Sequence, residues 1–340
     1  MTLSLTLIAL LEEAKLSDRP RALVLAPLRG EGKEILESVC DIVYEPWIEQ
    51  QPVKLYNPDD LAAKIAEVGA TVLVCESDNV NGPVMEQPLK VIGCTRGDPN
   101  NVDVEAATKA GIPVLRAPGR NADGVAEISV ALLFAVNRGV VVADKECRAG
   151  EIYRDGTIPY QRFRAWQLAG QTVGLVGYGA VARALEWRLK GLGMKVIAYD
   201  PYVAEATHSL EDLLKEADVV SMHAPVLDST RGMIGAEQFA MMKPGAIYIN
   251  SARAALHDTD AMVKALQSGH LGGAGLDHFD HEWLDPKSDL AALTNVVLTP
   301  HIGGATYDTE ANHSLLVASD IKAILSGEKP VNCVNPEVLS

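Results

Sequence analysis

Three short stretches carry side chains able to hold an acid and move a proton: Ser251-Ala252-Arg253, His278-Phe279-Asp280-His281-Glu282 and Thr299-Pro300-His301. Each follows an apolar run of strand type, at residues 246–250, 273–277 and 296–298. In a doubly wound parallel sheet such loops share the carboxyl edge of the strands, where ligands bind. An arginine guanidinium grips a carboxylate as a forked pair. Histidine titrates near neutrality and suits proton transfer, and a neighbouring carboxylate favours its charged form. An arginine, a carboxylate and a histidine thus meet at one edge of the sheet, the set that reducing a 2-oxo acid needs when a hydride is delivered beside them.

A hydride source is suggested upstream, in TVGLVGYGAVARALEWRLKGLGMKVIAYD at residues 172–200. Gly177, Gly179 and Ala182 form G-x-G-x-x-A between a β-branched strand and a helix, and Asp200 ends the next strand. Gly177 would allow the tight turn, Gly179 the approach of a pyrophosphate, and Ala182 close packing of helix on strand. The amides of Ala180 and Val181, beside Tyr178, would face the phosphates. Asp200 would accept from the adenosine ribose hydroxyls and repel a 2′-phosphate, so NAD is expected rather than NADP. The bland reading, a tight turn in a sugar- or flavin-binding relative, leaves the acid in register unexplained.

These motifs, taken in order, resemble the D-isomer-specific 2-hydroxyacid dehydrogenases over about residues 20–335. The likeness rests on 168–174 before the glycine loop, His223-Ala224-Pro225 with Thr230, Asn250-Ser251-Ala252-Arg253, Gly275-Leu276-Asp277 with Phe279 and Glu282, and Thr299-Pro300-His301. The resemblance implies that Arg253 binds substrate, His301 is the acid/base and Glu282 its partner. It places Asp277 at the nicotinamide amide and His223, Pro225, Thr230, Ser251 and Ala252 along the coenzyme. It further implies a Rossmann-type coenzyme domain at 117–304 and a flavodoxin-like catalytic domain from 1–116 and 305–340, as well as a homodimer through the long helix.

The family holds the substrate carboxylate with amides of a glycine-rich turn, matched here by Arg96-Gly97-Asp98-Pro99-Asn100-Asn101-Val102-Asp103. Arg96 and Asp98 depart from that pattern. Arg96 either contacts a phosphate or hydroxyl of the substrate or is a surface arginine paired with Asp98. Other departures are Ala254, His278 and Trp283. The last two either line the mouth of the site or pack, packing being the safer reading for Trp283. Gly303 and Gly304 would let the chain approach the nicotinamide closely. Asn121 is read as a hinge, a nicotinamide-side residue or a helix cap. His257, His270, His281 and His313 are read as solvated or structural. The pair His278-x-x-His281 lacks a third metal ligand, and no metal is expected.

The elements that must position these groups alternate along the chain. Strand-type runs fall at 22–26, 71–75, 91–95 and 114–116, separated by helical patterns at 31–40, 59–68 and 104–110. A second series runs through 172–176, 195–199, 219–222, 246–250, 273–277 and 296–298. That alternation specifies an α/β protein of two doubly wound parallel-sheet domains. A long apolar helix at 124–147 joins the series, and a final helix at 305–326 could return to the first domain. The 340 residues include Lys+Arg 30 and Asp+Glu 45, a formal charge of -15, which argues against nucleic acid or an anionic membrane as partner. A small-molecule 2-hydroxy or 2-oxo acid is the expected partner. Five scattered cysteines without C-x-x-C fit a reduced, cytoplasmic setting. Leu3–Leu11 is apolar but lacks a preceding positive charge and is closed by Glu12 and Glu13, so residues 1–19 are read as an extra amphipathic helix. No appended regulatory domain is expected.

A corepressor-type dinucleotide sensor and formate- or phosphite-oxidising relatives share this fold. The formate branch carries glutamine at the position of Glu282. Arg253, Glu282 and His301 together favour an enzyme over a sensor, and the phosphite branch keeps all three.

Overall fold

The computed structural model describes residues 19–339, so the expected N-terminal helix lies outside the described residues. Two compact units divide the chain: one runs up to Arg120 and resumes at Tyr307, and the other is Asn121–Thr306.

In the first unit a five-stranded parallel sheet has the order β2-β1-β3-β4-β5, the flavodoxin-like order. Its strands are β1 (Arg21–Val24), β2 (Asp41–Tyr44), β3 (Val72–Cys75), β4 (Val91–Cys94) and β5 (Val114–Leu115). The edge strand β2 is absent from the sequence reading, because DIVY carries too short an apolar run and is only half buried. Helices α1 (Gly30–Val39), α2 (Pro58–Val68) and α3 (Val104–Lys109) connect the strands. The sequence sets the ends of α2 locally. The Asn57 side chain accepts from the Asp60 amide at 3.0 Å, Pro58 opens the first turn, and Gly69 closes it in a left-handed conformation.

The C-terminal helix Tyr307–Leu325 packs on α1 and β4. A Cβ at Gly32 would meet the backbone of Ser314 at 2.1 Å, and one at Gly93 would meet Val317 at 2.5 Å. Glycine at both places is what lets this helix lie so close. Beyond it, residues 331–335 run beside β5, with Val334 N donating to Val114 O at 2.9 Å, and so cover a strand edge.

The second unit holds a six-stranded parallel sheet in the order β11-β10-β9-β8-β6-β7. The strands are β6 (Thr172–Val176), β7 (Lys195–Tyr199), β8 (Val219–Met222), β9 (Ala246–Asn250), β10 (Leu271–Leu276) and β11 (Val296–Leu298). Strands β6, β8 and β9 are buried throughout, as expected for a sheet covered on both faces. The order reverses between β6 and β8, and β9, β10 and β11 are immediate neighbours.

The expected single helix at 124–147 is two: α4 (Ala122–Asn137) and α5 (Val140–Ala149), bent by 60°. Gly139, left-handed at φ 59°, makes the break, which an apolar pattern does not reveal. Within this unit α4 packs over β9, β10 and β11. A Cβ at Gly273 would meet Val136 at 2.6 Å, and one at Gly275 would meet Leu132 at 2.9 Å. The glycine-rich strand LGGAGL is thus shaped by that helix. No single helix among the described residues is long and apolar enough to cross a membrane.

Candidate active site

Strand β6 runs into the glycine turn and then α6 (Ala180–Gly191). Gly177 has φ 88°, and a Cβ there would lie 2.5 Å from Ala224 N, so the turn demands glycine twice over. Around Gly179, by contrast, a Cβ would meet nothing within 4 Å. That open space is what a pyrophosphate approaching the backbone needs, and the first amides of α6, including Ala180 and Val181, lack helical partners there. Ala182 is fully buried against the strand. Asp200 follows β7, and its two oxygens accept from Tyr178 N and Tyr202 N, each at 2.9 Å. The acid therefore ties down the glycine loop itself, and each carboxylate oxygen keeps a further lone pair for a hydroxyl. These residues fit the adenosine half of a dinucleotide.

The other residues matched to the coenzyme have internal partners. His223 Nε2 bonds Ser221 Oγ at 2.8 Å, and burial pushes the imidazole down to about 4, so it is neutral at pH 7. The Thr230 hydroxyl donates to Pro225 O at 2.6 Å and accepts from Leu227 N at 2.8 Å, closing that loop. The buried Ser251 hydroxyl bonds Ser129 Oγ on α4 at 2.7 Å, anchoring the strand end on which Ala252 and Arg253 follow.

The loops after β9, β10 and β11 bring the reactive set together. Asn250 Oδ1 accepts from Ala252 N at 3.0 Å and Arg253 N at 3.2 Å, while its Nδ2 donates to Arg253 O at 2.8 Å. The guanidinium, donating to Ala252 O at 2.6 Å, also lies 3.4 Å from His278 Nε2. Glu282 Oε1 is 2.8 Å from His301 Nδ1, which leaves Nε2 as the ring nitrogen without a partner among the described residues. Glu282 and His301 are about half exposed, with side-chain accessibilities of 54% and 43%. Both adopt left-handed backbone, φ 54° and 55°, rare for non-glycine residues and costing on the order of 1–3 kcal/mol each.

Asp277 is what holds His301 in that conformation. Its buried Oδ1 accepts from Thr299 Oγ1 at 2.6 Å and Ile302 N at 2.9 Å, and Oδ2 accepts from Gly303 N at 2.8 Å. The same carboxylate explains Gly303: a Cβ there would lie 2.9 Å from Asp277 Oδ2 and 3.0 Å from Ile128. A Cβ at Gly304 would come within 3.2 Å of Asn121. Neighbouring protein, rather than a nicotinamide, therefore already requires these glycines to be small. Asn121 precedes α4 without capping it through its side chain.

His278 packs into the middle of the set. It is buried, its ring centroid stands 3.8 Å from that of His301, and its Nδ1 is 3.7 Å from Glu282 Oε1. Burial first, then the charges of His301 and Arg253, push it down to about 4. His278, Glu282 and His301 each offer a donor atom within 4.8 Å of the others, a spacing compatible with a metal, whereas His281 is exposed and outside the trio. The Arg253 guanidinium beside Nε2 argues against that use. Nε2 must accept there, so Nδ1 carries the proton and has no lone pair to give. Trp283, against the packing reading, is 66% exposed. His257 and His270 are structural, bonded to Asn250 Nδ2 at 2.9 Å and Phe239 O at 3.0 Å.

In the first unit Arg96 and Gly97 follow β4. The ion pair of Arg96 with Asp98 is not formed, and among the described residues the Arg96 side chain has no hydrogen-bond or ion-pair partner. Asn101 pins this loop by donating to Asp78 O at 2.9 Å. An ion pair that the sequence does not advertise follows β3 and β5: buried Glu76 and partly buried Arg120, 2.6 Å apart. Burial opposes ionisation of Glu76, yet Arg120 and His313 hold its carboxyl below the usual range. His313 is structural, bonding Arg120 at 2.7 Å and Pro27 O at 2.7 Å.

Comparison with known proteins shows the family to which the chain belongs. The NAD binding domain of the D-isomer specific 2-hydroxyacid dehydrogenases matches residues 130–303. A glyoxylate reductase of Thermococcus litoralis is 38% identical over 334 residues, 95% of this chain and 98% of its own. Among solved structures, a Thermus thermophilus protein is 37% identical with a TM-score of 0.78, covering 92% of this chain and 99% of its own. An NADPH-dependent glyoxylate/hydroxypyruvate reductase of Sinorhizobium meliloti, 26% identical with a TM-score of 0.74, covers 94% of this chain and 99% of its own. The chain belongs to the D-isomer-specific 2-hydroxyacid dehydrogenase family. It is an oxidoreductase that interconverts 2-hydroxy and 2-oxo acids with a nicotinamide dinucleotide.

Proposed function

We propose that the protein is an NAD-dependent dehydrogenase of D-2-hydroxy acids in which Arg253 holds the substrate carboxylate and His301, oriented by Glu282, is the acid/base. The observation that carries this reading is the 2.8 Å contact of Glu282 Oε1, in the loop after β10, with His301 Nδ1, after β11, next to the loop after β9 that carries Arg253. The dinucleotide supplies the hydride when bound. In the reductive direction His301 Nε2 gives its proton to the carbonyl oxygen as the hydride reaches C2, while Glu282 stabilises the imidazolium. In the oxidative direction the neutral ring takes that proton back. Asp277 borders this turn and is the residue we assign to the nicotinamide amide as well as to the turn.

Asp200 supports NAD over NADP, because a second negative group beside its carboxylate would be repelled at short range. Arg96, a cation without an ion-pair partner among the described residues of a chain of formal charge -15, supports a substrate carrying a further anionic or hydroxyl group beyond C2, with the Gly97 amide on its carboxylate. A cytoplasmic homodimer completes the reading. It is supported by the apolar side chains left exposed on the second unit, including Val140, Tyr153, Tyr160 and Trp166.

An assay of NADH and NADPH oxidation over a panel of 2-oxo acids tests these assignments. His301→Ala is expected to bind NADH as the wild type does but to lose about 100- to 10,000-fold in turnover; wild-type turnover would refute the acid/base role. Asp200→Ala is expected to raise the relative efficiency with NADPH, and an unchanged NADH to NADPH ratio counts against its ribose role. Arg96→Ala should raise KM for phosphorylated or hydroxylated 2-oxo acids by about tenfold or more while sparing glyoxylate. Equal effects on all substrates would remove Arg96 from substrate selection.

A further inference from the structure

One group touches Arg253, Glu282 and His301 and has no part in the mechanism above: the imidazole of His278. It is 4% exposed, held by the loop after β10, with Nε2 3.4 Å from Arg253 Nη1 and Nδ1 3.7 Å from Glu282 Oε1. Nδ1 has no other partner among the described residues, and the ring lies 3.8 Å from that of His301, tilted by 56°. A neutral imidazole has one N–H and one lone pair. Because a guanidinium only donates, the lone pair faces Arg253, and the N–H is left facing the Glu282 carboxylate.

We propose that His278 is a positioning residue for the reaction, a neutral bridge that fixes the carboxylate-holding guanidinium relative to the Glu282–His301 pair. The inference rests on the assignment of those three residues in the preceding section. Arg253 faces the ring from the loop after β9, Glu282 from its own loop and His301 from the turn after β11. Asp277, next in the chain, turns its carboxylate to the 299–303 turn instead. During reduction two of the facing groups are cations, Arg253 and protonated His301. An uncharged ring separates them without adding a third charge. An aliphatic side chain would also separate them, but it would offer neither an acceptor to Arg253 nor a donor to Glu282. The contacts are longer than ideal hydrogen bonds, as is common before substrate draws such groups together.

Three substitutions separate this role from space-filling. Asparagine puts an amide where Nδ1 stands but does not reach Arg253, whereas glutamine reaches the position of Nε2 with an acceptor. His278→Val is expected to raise KM for the 2-oxo acid and lower kcat, each about fivefold to tenfold, the scale of one hydrogen bond. His278→Gln should restore KM without kcat, and His278→Asn should restore kcat without KM. NADH dissociation constants measured by fluorescence should match the wild type in all three, which reports an intact coenzyme unit. If His278→Val keeps both constants, or if the asparagine and glutamine variants fail alike on both, His278 merely fills space and the proposal is overturned. If instead Arg253→Ala and His301→Ala turn over normally, it is the underlying site assignment that fails.

Discussion

A single buried carboxylate organises the reactive end of the second sheet. Asp277 directly follows β10 and accepts from three donors of the 299–303 turn, two of them backbone amides on the far side of His301. A buried charge without partners would cost several kcal/mol, so the carboxylate and the turn stabilise each other. The left-handed conformation of His301 persists because this turn over-determines it. From that backbone the ring presents Nδ1 to Glu282 and leaves Nε2 outward. Gly303 is small for the same reason, since a Cβ would strike the acid that holds the turn.

The neighbouring strand repeats the principle with an amide. Asn250 grips the backbone on both sides of Arg253, so the guanidinium starts from a fixed root rather than from a free loop. At the opposite side of the switch point Asp200 holds the glycine loop by its Tyr178 amide. Each polar residue at a strand end thus does scaffold work on the loop that carries a reactive or binding group. Such supporting contacts decide whether a site is rigid enough to act.

Much of this was legible in the sequence because two periodicities and one glycine motif carry it. The runs 172–176, 195–199, 219–222, 246–250 and 296–298 coincide with strands, being short, apolar and bounded by breakers. That an arginine, a carboxylate and a histidine meet followed from their places at the ends of successive strands, and the choice of Glu282 and His301 among their neighbours from the family resemblance. What was not legible depends on contacts between distant residues. The break at Gly139 sits in an apolar run that looks continuous. The strand Asp41–Tyr44 lies at a sheet edge and is half buried, so its pattern is weak. His278 read as a replaced aliphatic residue that either lines the mouth or packs, and only its distances to three side chains, on its own loop and two others, give it a chemical setting. Arg96 and Asp98, adjacent enough to pair on paper, do not pair in the folded loop.

The central claim is that Asp277 serves the proton donor through the turn it holds. Asp277→Asn tests it most directly, because the new amide nitrogen must face a backbone donor that the carboxylate oxygen accepts from. Steady-state kinetics at saturating NADH, together with NADH titration of that variant, should show kcat reduced by about tenfold or more in addition to any loss of NADH affinity. Wild-type kcat with weakened NADH binding would contradict the account and assign Asp277 to the coenzyme alone.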